Sequence, residues 1–107
     1  MSSLSLTDRL RQLLAGIPGI EEKKMFGRTA FKLDGKLCIT AGGGKLMCRI
    51  DPAMHAAYLQ EEGCSEMLMR SKPVKGYIYV DEAVMPTKKT LERWVNLSIA
   101  FTRTVKK

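Results

Sequence analysis

A two-layer α+β domain, with amphipathic helices covering one face of an antiparallel sheet, is the fold class that this 107-residue sequence predicts. Three observations carry the prediction. Leucines at three-and-four spacing open the chain, segments of period two joined by Asp-Gly or glycine turns follow, and a second amphipathic stretch closes it. The length fits one core, because a chain of this size buries roughly two-thirds of its unfolded surface. Residues 1–107 are therefore read as a single domain.

Ser5 precedes Leu6, Leu10, Leu13, Leu14 and Ile17, which share one helical face, and Asp8 three residues on makes a capping-box-like start. Gly16 and Pro18 end that helix. Glu21 to Lys24 is charged and without period, so it reads as a connector. From Arg28 to Leu33 the pattern alternates, which means strand, and Asp34-Gly35 marks a hairpin. A two-residue loop would pair Leu33 with Lys36 and send Leu37 and Ile39 to the face opposite Phe31. A three-residue loop, Leu33 to Gly35 with Gly35 left-handed, sets Phe31 opposite Leu37 and Thr29 opposite Ile39. That bulged hairpin is the expected arrangement.

Gly42, Gly43 and Gly44 then break the apolar pattern before Leu46, Met47, Cys48 and Ile50 resume it, a second hairpin. Asp51 caps a short helix with Pro52 in its first turn; Met54, Ala57, Tyr58 and Glu61 share a face, and Gly63 stops it. Cys64 to Met67 is a further strand candidate, and Tyr77-Ile78-Tyr79-Val80 is a strand by its aromatic and β-branched content. A last helix, from about Thr87 to about Thr102, turns Leu91, Trp94, Val95, Ser98 and Phe101 inward. The order α-β-β-β-α-β-β-α gives a five-stranded antiparallel sheet with helices on one face.

Composition excludes several classes. With 45% hydrophobic and 27% charged residues the chain is an ordinary globular one, no apolar run approaches bilayer-spanning length, and Met1 to Leu6 lacks a signal-peptide pattern. A cytoplasmic protein without membrane contact is expected. Lys plus Arg number 18 against 11 Asp plus Glu, a net charge of +7. Lys23, Lys24 and Arg28, then Lys72 and Lys75, then Arg103, Lys106 and Lys107 form basic groups able to contact nucleic acid phosphates. Against direct nucleic acid binding, aromatics are only 7% of residues, Trp94 and Phe101 sit at core spacing, and no helix-turn-helix pattern is present. Solvated charge is the default reading.

Neither a metal, a cofactor nor a catalytic centre is expected. Cys38, Cys48 and Cys64 are widely spaced within apolar segments, where Cys serves as a small buried hydrophobe, and the single histidine, His55, is placed on the solvent side of its helix. The glycines before Lys45 suggest a phosphate loop, but Leu46 stands where Ser or Thr is required and the next segment is a strand. No serine or cysteine nucleophile sits in an elbow context, so the chain is read as no enzyme. Met67 and Met69 flank Leu68; as an edge strand, this segment would offer its backbone to a second copy or another protein.

Met25-Phe26-Gly27, followed by Phe31, Gly35-Lys36, Leu46 and Arg49, resembles the N-terminal domain of the TfoX/Sxy family. Pro73, Gly76-Tyr77, Val80, Leu91 and Trp94 extend the likeness, which runs from about Leu6 to about Phe101. The resemblance implies a secretion-chaperone-like topology in which the fifth strand lies between the third and fourth. It implies a bacterial regulator without catalytic residues; longer members activate competence genes together with the cyclic-AMP receptor protein. Arg28 stands where the family often has a second glycine, and the chain stops after the third helix, which predicts a stand-alone domain. The expected role is a regulatory, protein-binding module whose partner belongs to the transcription machinery, with Arg28, Lys36 and Arg49 as surface contributors. A homodimer, direct weakly specific DNA binding and, last, an enzyme with a small ligand in a sheet-side pocket are the other readings.

Overall fold

A computed structural model describes residues 5–25 and 27–105, the side chain of Met25 excepted. The chain runs through α1 (Leu6–Leu14), β1 (Ile20–Met25), β2 (Arg28–Leu33), β3 (Lys36–Gly42) and β4 (Lys45–Arg49). A 3-10 turn (Pro52–Met54) then leads into α2 (His55–Leu59), followed by β5 (Cys64–Met69), β6 (Lys72–Asp81), another 3-10 turn (Glu82–Val84) and α3 (Lys88–Thr104). The sheet has six strands in the order β1-β2-β3-β4-β6-β5, every neighbouring pair antiparallel. The last strand lies between its two predecessors, as the resemblance implies.

The sixth strand is β1, the charged stretch expected to be a connector. It pairs with β2 from Ile20↔Leu33 to Met25↔Arg28. At the sheet's edge Glu21, Glu22, Lys23 and Lys24 are all exposed, so no apolar alternation is needed to hold the strand and none marks it.

The first hairpin also departs from expectation. Leu33 pairs with Lys36, so the loop is the two residues Asp34 and Gly35, whose φ values of 52° and 81° fit a type I′ turn. Gly35 is left-handed as expected, but the conflict of faces is resolved further along. Cys38 is an extra residue between the pairs Lys32↔Leu37 and Phe31↔Ile39. Phe31 therefore meets Ile39 and not Leu37, and Thr29 meets Ala41 and not Ile39. This bulge lets the consecutive residues Cys38 and Ile39 both be fully buried in the core.

Ser5 caps α1 by accepting the Asp8 N–H at 3.1 Å, and Thr87 and Thr90 form a reciprocal capping box at α3. Leu6, Leu10 and Leu14 of α1 join Leu91, Trp94, Val95 and Ile99 of α3 in one core with Phe31, Leu33, Ile39, Leu46, Ile78 and Val80. Arg9 of α1 donates to the Met85 carbonyl at 2.7 Å, which ties the first helix to the approach of the last. Phe101 is only half-buried, whereas Ile99 and Thr102 turn inward. At about 100° per residue Phe101 falls at the margin of the stripe formed by Leu91, Val95, Ser98 and Thr102.

Candidate functional site

The cysteines are free and are spent on packing. Burial pushes the Cys48 thiol up to about 12, with the Ser98 hydroxyl opposing weakly, and burial raises Cys38 against a smaller influence of Thr102. Those two hydroxyls lie beside the sulfurs too loosely for a regular hydrogen bond. Half-buried Cys64 is pushed to about 11 by burial and then by Glu61. Thiols held this far above neutral pH are poor nucleophiles. Among the described residues no cluster of three or more His, Cys, Asp or Glu side chains could hold a metal ion.

His55 is not on the solvent side. It is 5% exposed, accepts the Gly76 N–H at Nδ1 (3.0 Å) and reaches Glu66 Oε1 from Nε2 (3.1 Å). Because Nδ1 accepts, Nε2 carries the proton and donates to the carboxylate. Gly76 sits where β6 leaves its ladder with β5: between the pairs Glu66↔Ile78 and Leu68↔Pro73, the single residue Met67 faces residues 74–77. Its φ of 93° suits glycine, its carbonyl accepts from Ile50 N–H at 2.8 Å, and His55 satisfies its N–H. The imidazole is a structural clamp on a broken strand. The signal was the spacing of His55 to Tyr58 and Leu59, which pack against the core and put His55 on the inward face.

The three basic residues expected to meet a partner are not brought together. Lys36 donates from Nζ to the Val105 carbonyl at 2.7 Å, tying the first hairpin to the end of α3. Arg49 donates to the Leu37 carbonyl at 3.2 Å and lies between the rings of Tyr77 (5.8 Å) and Phe101 (5.9 Å). Arg28 belongs to the opposite end of the strands. Its guanidinium lies 5.3 Å from the Tyr79 ring centroid, as does the Lys45 ammonium, and its Nη2 is enclosed without an acceptor among the described residues. Where the family often has a second glycine at Arg28, the close backbone approach is made here by Gly42 of the facing strand. A Cβ there would stand 2.9 Å from Arg28 Cγ and 3.2 Å from its Cα.

The remaining motif residues are mostly architectural. Phe31 is core, Gly27 (φ 77°) and Gly35 make turns, and Trp94 packs edge-on to Tyr58 at 5.6 Å. Phe26 and the side chain of Met25 lie outside the described residues, as do Lys106 and Lys107. Tyr77 is different, because strand alternation puts it with Tyr79 on the face away from the helices.

Two surfaces remain after this accounting. One is that open face. Cross-strand register aligns Lys23, Ala30, Thr40, Met47, Tyr79 and Ser65 in one row, and Ala30 and Met47, though buried, stand outside the helix-covered core. The other is the free edge of β5, where Leu68 and Met69 are 56% and 59% exposed.

A family model described as the TfoX N-terminal domain matches residues 12–102 of the 107. No curated protein and no solved structure gives a significant match.

Proposed function

The chain belongs to the TfoX N-terminal domain family, and on that premise we propose that it is a non-enzymatic regulatory module that binds another protein through the free edge of β5. The family match supports the regulatory kind of function; a partner in the transcription machinery is the finer reading. The observation that carries the binding mode is the combination at β5. Among the described residues one side of its backbone has no ladder neighbour, and Leu68 and Met69 are the most exposed large hydrophobic residues. An incoming strand would complete the ladder while covering those side chains. Natural sheets usually blunt such an edge with charge, as β1 does here with Glu21 to Lys24.

The test is affinity capture from a lysate of the source cells with the wild-type chain beside Leu68→Lys/Met69→Lys. A stoichiometric protein retained by the wild type and lost by the variant supports this reading. Empty captures, or a partner held equally by both, count against it.

A further inference from the structure

We propose that the open face of the sheet binds single-stranded nucleic acid, with Tyr77 and Tyr79 stacking on bases and Arg28, Lys45 and Arg49 contacting phosphates. The inference goes beyond the protein-binding reading and uses a different surface, so each can fail without the other.

Four observations meet on this face. The helices α1, α2 and α3 all pack on the other side, because the residues they cover are the alternates Ile78 and Val80, Leu46 and Cys48, and Ile39 and Ala41. Tyr77 and Tyr79 thus project from the interior strand β6 on the face away from the described helices, both half-buried. Register then places Lys23, Arg28, Lys32, Lys45 and Arg49 on the same face, against Glu21 and Asp81. The Asp81 carboxylate is already occupied in accepting the Ala83 N–H at 2.9 Å.

The third observation is where those cations rest. Arg28 and Lys45 lie against the Tyr79 ring, and Arg49, at the margin of the face, lies between the Tyr77 ring and Phe101 of α3, each within 6 Å of a centroid. None of the three makes an ion pair with a described acid. Cations parked on aromatic rings are short of anionic partners. A phosphodiester can draw them off the ring and leave its π-face to a base.

The fourth is the enclosed Nη2 of Arg28, a guanidinium donor with no acceptor among the described residues. Buried donors are satisfied in nearly all folded proteins, so an orphan beside an open basic surface marks a place where an acceptor belongs. A small outward movement of Arg28 onto a phosphate oxygen supplies one. Duplex fits less well, because its bases are stacked inside and cannot reach two rings on a sheet, whereas a single strand lays bases flat on such a platform.

The experiment is fluorescence anisotropy of labelled oligothymidylate, oligouridylate and a mixed duplex, each titrated with the full chain at low and moderate salt. Single strands should bind, the duplex should bind more weakly, and affinity should fall with salt at about 0.7 decades per decade for each phosphate contacted. The two single strands separate DNA from RNA as the natural source. Tyr79→Thr and Tyr77→Thr, which keep strand-forming residues, should each weaken binding roughly ten- to a hundredfold, while Tyr79→Phe retains it. Arg28→Gln with Lys45→Gln and Arg49→Gln should lower the salt slope by about 2. Lys88→Gln with Lys89→Gln, on α3, should change little. Circular dichroism melts of every variant separate lost binding from lost folding. The proposal is overturned by absent binding at low salt, by duplex held as tightly as single strands, or by equal losses in the Phe and Thr variants. It is likewise overturned if the α3 variant loses as much as the sheet-face variant, since that is general attraction of a polyanion to a basic protein.

Discussion

The Gly76 backbone N–H donates to Nδ1 of His55 across a 3.0 Å contact, and this bond joins the short second helix to the break in β6. A bulge in an interior strand leaves backbone groups that the ladder cannot serve, and here a side chain from a neighbouring element serves one of them. His55→Ala should therefore destabilise the fold by about 1–3 kcal/mol, the usual cost of orphaning a buried donor. Urea unfolding measures it, and an unchanged midpoint would show that the bond carries no weight.

The thiols should be slow. With Cys48 pushed up to about 12, Cys38 raised by burial and Cys64 pushed to about 11, little thiolate exists near neutral pH in the folded chain. A disulfide exchange reagent at neutral pH should modify Cys64 first, because it alone is partly exposed, and should reach Cys38 and Cys48 only on unfolding. Rapid native modification of all three would contradict this packing.

Gly35→Ala should cost about 1–2 kcal/mol, because Gly35 holds φ at 81° in a turn whose other residue is also left-handed. Asp34→Asn at φ 52° should be neutral or mildly stabilising, since asparagine tolerates that region well. Thermal melts of the two variants check the turn assignment: equal losses would point to a different loop.

Arg93 grips Glu61 with two hydrogen bonds of 2.6 and 2.7 Å and holds its carboxyl below the ordinary range. The depressed folded value means that the pair's contribution is complete above the unfolded carboxylate value and fades as pH falls through the folded one. Both side chains are more than a third exposed, so the contribution at neutral pH is only ~0.5 kcal/mol. Arg93→Gln should lower stability at neutral pH and converge with the wild type in acid. A difference that grows as pH falls would reverse the assignment.

Local pattern revealed the elements whose side chains are divided between a core and water. The α1 leucines, the alternation of β2 and the extent of α3 were legible, because each is periodic within its own segment, whereas α2 ends at Leu59 and Gly63, read as its stop, turns the chain into β5 instead. The charged β1 was not, because an exposed edge strand is held by backbone bonds to β2 and leaves no periodic trace. Of the candidate surfaces, the methionine-rich segment at β5 was legible as a possible edge. The pairing of Tyr77 and Tyr79 with cations was not, since Arg28, Lys45 and Arg49 reach them from other strands.

By itself the sequence determined the fold class, the family, the left-handed Gly35 and the basic surplus. Only the tertiary structure decided that Cys38 bulges, that His55 is enclosed and which face of the sheet stays open. The physical reason is range: periodicity and turn chemistry act between residues a few positions apart, whereas burial and charge neighbours depend on which distant strands come to lie side by side.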